Sequence, residues 1–99
     1  MTVTVIGTLT ARPERREDLY RILTAMVAPT RAEPGCINYD FHVDAADPCV
    51  FVFYENWRSE ADHAAHMKMA HLVPLLAEAD HLLAKPVDVR RLTMVSALA

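Results

Sequence analysis

The stretch Phe51-Val52-Phe53-Tyr54-Glu55-Asn56-Trp57-Arg58-Ser59 decides how this chain reads. From Val50 to Trp57 it is apolar on both faces, with Val50, Val52 and Tyr54 on one side and Phe51, Phe53 and Trp57 on the other. A strand that is apolar on both faces must be covered on both. One layer can be helices of the same chain; the other has to come from elsewhere, most simply from a second copy. Ser59 then opens a helix, its hydroxyl capping the first turn and Asp62 completing a capping box.

Upstream of this stretch, Ile37, Tyr39, Phe41 and Val43 alternate with Asn38, Asp40 and His42. That period of two predicts a strand with Ile37, Tyr39, Phe41 and Val43 on its apolar face. Asp44 to Pro48 is a hairpin-length turn joining it to Val50. Further back, Thr2 to Ala11 reads as a strand whose apolar face is Val3, Val5, Gly7 and Leu9. Pro13 suits a helix start. From Glu14 to Glu33, Leu19, Ile22, Leu23, Met26 and Val27 form one helical stripe. Pro29 is expected to kink or end this helix locally. Glu33-Pro34-Gly35 is a firm stop, with Gly35 free to turn left-handed.

Downstream, the helix from Ser59 should run to about Lys68. A second helical set begins at His71 and carries Leu72, Leu75, Leu76, Ala79, Leu82 and Leu83, with Pro74 tolerated in its first turn. Pro86 to Val95 reads as a last strand whose apolar positions switch face, from Val87 and Val89 to Leu92 and Met94. A bulge or two-sided burial would explain the switch. The order strand–helix–strand–strand–helix–strand is the split βαβ arrangement, an α+β ferredoxin-like βαββαβ domain spanning 1–99. It places the first and third strands in the middle of an antiparallel sheet, with the helices on one face and the other face open for a homodimer. An apolar content of 53% fits a second buried surface, being above the usual ~45–50%.

Composition excludes several classes of function. The net charge is −3, lysine occurs only at Lys68 and Lys85, and Arg12, Arg15 and Arg16 are interleaved with Glu14, Glu17 and Asp18. No basic face for nucleic acid results. No apolar run reaches the ~18 residues a membrane span needs. Met1-Thr2-Val3 leads into a strand pattern without a basic leader, so the expected compartment is the cytoplasm. Cys36 and Cys49 fit that compartment as small hydrophobes. Near-symmetric hairpin pairing would set Cys49 opposite Val43 and leave Cys36 too far away for a disulfide.

The residues that can carry chemistry cluster after Trp57. His63 and His66 are three apart and project from nearby positions on a helix. His71 shares their face only if the chain bends near Ala70. No third ligand stands at a characteristic spacing, so no metal is expected. Histidine, with an unperturbed pKa of ~6.5, is a base at neutral pH; the plainer reading is polar residues on a half-exposed helix. Trp57 is either a core aromatic with its N–H bonded or a pocket wall that stacks on a planar substrate. Asn38 either donates to a substrate oxygen or satisfies edge-strand backbone. Glu55, in a buried strand, needs a partner, and Arg90 or Arg91 of the last strand is the expected one.

These pieces, taken in order, resemble a known family. The Glu33-Pro34-Gly35-Cys36 turn, Asn38-Tyr39-Asp40, Phe51-Val52-Phe53-Tyr54-Glu55-Asn56-Trp57, and Ala65-His66 with His71 five residues on are similar to the antibiotic biosynthesis monooxygenase domain family, which includes small quinol monooxygenases. The resemblance covers nearly the whole chain. It implies a homodimer whose sheets pack into a dimeric α+β barrel, with a pocket between sheet and helices. It also implies oxidation of an electron-rich phenol, anthrone or quinol by O2 with no cofactor and no metal. A base makes the substrate anion, which then passes an electron to O2. On this chain the base would be His66 or His63, with Asn38 and the Trp57 N–H as donors to the anion and His71 also at the substrate.

Departures narrow the choice. Anthrone-oxidising members carry Asn and Tyr where Phe53 and His63 stand here. The haem-degrading branch needs an Asn in the first strand and a Trp near His66, and this chain has neither. The expected activity is therefore a cofactor-independent monooxygenase acting on a small aromatic quinol or phenol. The alternatives are an isomerase or other acid–base enzyme on the same fold, or a non-catalytic small-molecule-binding dimer.

Overall fold

Alternating valine and threonine make the first element a strand with one dry side. The computed structural model describes residues 2–96, so the expected domain span of 1–99 extends past the described residues at both ends. Strand β1, Val3–Thr10, buries Val3, Val5 and Leu9 on the face predicted for them. It pairs antiparallel with β3, Val50–Trp57, and with β4, Asp88–Leu92, while β3 also pairs with β2, Cys36–Val43. The sheet order β2-β3-β1-β4 puts the first and third strands in the centre. This is the α+β ferredoxin-like architecture, with an antiparallel sheet and its helices on one face.

A 3₁₀ turn at Pro13–Arg15 leads into α1, Arg16–Arg31, which buries Leu19, Leu23, Met26 and Thr30. Pro29 does not itself end this helix, which continues through it to Arg31. A proline one turn from the end removes only one late donor, and the turn tightens to satisfy the rest. Glu33-Pro34-Gly35 is the stop, although no residue here has positive φ. Gly35 is required for space instead: a Cβ there would run into the Asp62 side chain.

The β2 register departs from strict alternation. Cys36 pairs with Trp57 and Asn38 with Asn56, so Ile37 is the extra residue of a bulge and is 53% exposed. The core face of β2 is therefore Cys36, Tyr39 and Phe41, and Ile37 is not part of it. A bulge inserts one residue and flips the alternation before it. Tyr39 stacks on Phe53, and Phe53 on Phe41, at 4.6 and 4.8 Å between ring centres. Val43 pairs with Phe51, so Cys49 falls in the turn and not opposite Val43. The turn is longer than symmetry suggests because Asp44 Oδ1 accepts from the backbone N–H groups of Ala46 and Asp47, and Asp47 Oδ1 from that of Cys49. Both cysteines are free thiols.

Helix α2, Glu60–His66, is capped as expected by Ser59, whose hydroxyl accepts from the Asp62 N–H at 3.1 Å. A second 3₁₀ turn, Ala70–Leu72, leads into α3, Val73–Leu82. Leu72, Leu75, Leu82 and Leu83 pack into the core, whereas Leu76 is 61% exposed. Strand β4 pairs without a bulge, and all five of its residues are exposed. The switch in its apolar pattern thus reflects an uncovered edge strand, neither a bulge nor two-sided burial in the protomer. No helix among the described residues is long and apolar enough to cross a membrane.

Candidate active site

The seven-residue helix α2 brings His63 and His66 down onto the sheet, one turn apart. Both are almost fully buried, at 3% and 2% exposure. Beyond them the chain bends, as a shared histidine face required. Met69 N–H donates to His66 O, the 3₁₀ turn follows, and His71 swings back toward the same point. What all this converges on is Glu33, at the end of α1. Its Oε2 lies 2.8 Å from His66 Nδ1 and 2.9 Å from His71 Nε2. In the sequence, Glu33 shows only as part of the helix stop and the turn after it. Its partners are 33 and 38 positions away, and no local periodicity reports such a contact.

Glu33, His66 and His71 present three possible ligand atoms within 4.8 Å of one another. Zinc bonds of ~2.0–2.1 Å at tetrahedral angles hold ligand atoms roughly 3.3 Å apart. The 2.8 and 2.9 Å separations are those of proton-filled hydrogen bonds. The cluster is built as a carboxylate bridging two imidazoles.

Trp57 closes the other side of His66, with ring centres 4.7 Å apart, and stands 5.9 Å from His63. Its indole N–H donates to Glu55 Oε1 at 2.9 Å, so the donor imagined for a substrate is already engaged. Glu55 was expected to pair with Arg90 or Arg91. Instead Val5 sits between Glu55 and Arg91 in the register, two strand spacings or about 10 Å. Arg91 faces His63, its Nη2 3.3 Å from the ring Nδ1, and Arg90 bonds Asp88. Burial, against the pull of the Trp57 hydrogen bond, pushes the Glu55 carboxyl up to about 7.

Burial lowers the pKa of both histidines. For His63 the Arg91 guanidinium and His66 add to the lowering; for His66 the Glu33 carboxylate works against it. Both rings are therefore neutral at pH 7 and can accept a proton. Burial also raises the Tyr39 phenol far above its ordinary value, with Glu55 adding to it, so Tyr39 is no base. Its ring lies edge-on to His66 at 5.5 Å.

Asn38 is not brought to this cluster. It lies on the opposite, open face of the sheet, in a polar string across three strands. Thr4 donates to Asn56, Asn56 to Asn38, and Asn38 to Asp40, which Arg31 also holds. Of the five expected site residues, His63, His66, His71 and Trp57 meet, and Asn38 does not.

The rings of Trp57, Tyr39, His63 and His71 stand around His66, their centres within about 6 Å of it. The open volume nearby is a cleft of about 670 Å³ lined by Val3, Glu60, Arg91 and Met94 among others. Arg91 thus separates that cleft from His63. A base, a cationic side chain and a cleft lie in series.

The model of the antibiotic biosynthesis monooxygenase family matches residues 2–73. The chain belongs to that family. The Mycobacterium tuberculosis protein Rv0793, provisionally named a monooxygenase, is 38% identical over 88% of this chain and 85% of its own length. The solved Rv0793 structure superposes at a TM-score of 0.90, with 100% of both chains covered. PA3566 from Pseudomonas aeruginosa superposes equally well, at 37% identity, a TM-score of 0.90 and coverage of 96% and 95%. A further relative, sll1783 from Synechocystis, is 30% identical over 89% of this chain, which spans only 60% of that protein's length.

Proposed function

We propose that this protein is a cofactor-independent monooxygenase that oxidises a small aromatic quinol or phenol with O2. The observation that carries the reading is the pair of buried, neutral imidazoles, His66 and His63, set between Trp57 and the cleft at Arg91. His66 is the base. The substrate's hydroxyl proton reaches it from the cleft by way of His63, the ring between His66 and Arg91, and the ring anion passes one electron to O2. The radical and superoxide then combine at a ring carbon bearing hydrogen. The imidazolium returns its proton to the outer peroxide oxygen, the O–O bond breaks as that carbon loses its proton, and water leaves. One oxygen atom stays on the ring, and every electron comes from the substrate. Arg91 is placed to hold the anion at the cleft side, with His63 behind it.

A homodimer completes this reading. The open face of the sheet carries Ile6, Val52 and Tyr54 at neighbouring positions, where Ile6 pairs with Tyr54 and Thr8 with Val52. Tyr54 is 41% exposed in the single protomer. A second sheet laid on this face would bury it.

Oxygen uptake with menadiol and related quinols tests the proposal. Wild type should consume O2 with water, not peroxide, as the second product. His66→Ala should lose activity by about 10²–10⁴-fold, the usual worth of a positioned base. Equal rates in the two proteins would remove His66 from the mechanism. Turnover that persists without O2 would select the acid–base alternative, which the Glu33–His66 pair also suits.

A further inference from the structure

We propose that Glu33 is a positioning residue that fixes the proton of His66 on Nδ1 and steadies the charged ring once it has taken a proton. The inference rests on the reading of His66 as the base. Its geometry, however, stands without it. Glu33 is 8% exposed, and its backbone is tied on both sides, its N–H donating to Thr30 O and its carbonyl accepting from Cys36 N–H, each at 3.0 Å. The side chain therefore starts from a fixed point between α1 and β2. Its Oε2 alone meets both rings, at 2.8 and 2.9 Å.

A carboxylate oxygen only accepts, so the ring nitrogens facing it are the protonated ones. His66 is thereby held as the Nδ1–H tautomer, which leaves Nε2 as its one lone pair and the atom that receives the substrate's proton. The same carboxylate then faces an imidazolium, as the buried acid of a catalytic triad does. No arginine or lysine takes Glu33 away: among the described residues its carboxylate meets only His66 and His71, while Arg31 at the end of the same helix holds Asp40. His71 anchors the carboxylate and is the more exposed ring, its side chain 21% accessible against 3% for His66.

The groups that face His66 from each element packed on it are Glu33, His71 on the 3₁₀ turn, His63 on α2 and Tyr39 on β2. Glu55 on β3 lies behind Trp57, and Arg91 on β4 lies behind His63. Removing Glu33 takes away the one group in this set that favours the charged ring by direct contact, so His66 should titrate at lower pH.

Nitrogen-15 NMR of the imidazoles, in wild type, Glu33→Gln, Glu33→Ala and His71→Ala, tests this without any substrate. Wild type should show His66 protonated on Nδ1 at pH 7.5. Glu33→Gln keeps an accepting oxygen without the charge; it should retain that tautomer and titrate at lower pH. Glu33→Ala should lose the tautomer preference, and His71→Ala should show a weaker form of the same change. In turnover, Glu33→Gln should lower kcat by about 100-fold while KM changes less than roughly 3-fold. A wild-type His66 protonated on Nε2, or a His66 titration unmoved in Glu33→Gln, would overturn the proposal. An Nδ1–H ring in a protein that oxidises no quinol supports the pair and overturns only the choice of reaction.

Discussion

The Trp57 indole N–H donates to Glu55 Oε1 at 2.9 Å, and the two side chains lie on the helix-covered face of β3. A carboxyl at 5% exposure with one neutral donor and no cation beside it prefers to stay protonated. Its pKa is pushed from 4.5 to about 7. For an acid raised in the folded state, the native form holds more protons than the unfolded one between those two values. Stability therefore falls as pH rises through that window, by on the order of 3 kcal/mol in all. Glu55→Gln keeps an oxygen for the indole and removes the ionisation. It should raise Tm at pH 8 and leave it nearly unchanged at pH 4; an equal effect at both pH values would contradict the assignment.

The junction at Gly35 makes a second, steric prediction. A Cβ at Gly35 meets Asp62, whose carboxylate also accepts from the Ser59 hydroxyl at 2.8 Å. Gly35→Ala must push the capping residues of α2 aside, an overpacking cost of about 1–3 kcal/mol. Gly7→Ala is the control, since its Cβ would find Glu55 Oε2 at 3.6 Å, ordinary contact. Urea denaturation of the two variants should show Gly35→Ala as clearly the less stable.

Ser59→Ala removes the only side-chain cap of a helix barely two turns long. The loss should be ~1 kcal/mol. Because that helix carries His63 and His66, activity should fall more than stability does. Thermal melts and oxygen uptake on the same samples separate the two effects.

Activity should also report the low pKa values of the imidazoles. A base must be neutral to accept a proton, so kcat/KM should be flat at high pH and fall on acidification. Burial places the fall below the ordinary histidine value of 6.5 for both His63 and His66. A pH profile whose acidic limb sits above 6.5 would assign the base to another group.

Ile6 lies at the centre of the open sheet face, paired with Tyr54 and Arg90. In the proposed dimer, Ile6→Lys buries a charge with a like charge, Arg90, directly across from it. Association should weaken by roughly 100-fold or more, about 2.7 kcal/mol. Sedimentation velocity should show wild type as a dimer and the variant as a monomer at micromolar concentration; no change would place the interface elsewhere.

What the sequence determined alone was everything with a local cause. Val3, Val5 and Leu9 at alternate positions, the Leu19–Leu23–Met26 stripe, the Ser59 cap and the two-sided strand from Val50 to Trp57 each state their element through period or capping chemistry. Element order then left one common topology, and His63, His66 and Trp57 were visible because a strand end and a helix start are neighbours in the chain. Tertiary structure decided what depends on register and on distant partners. One inserted residue at Ile37 turned that side chain outward, Asn38 landed on the face away from the histidines, and Val5 came between Glu55 and Arg91. Glu33 gained its meaning only when α1, the turn after α2 and the sheet came together around a single carboxylate oxygen. Period and capping act over a few residues, whereas a hydrogen bond between positions far apart in the chain exists only once the elements that carry them have packed.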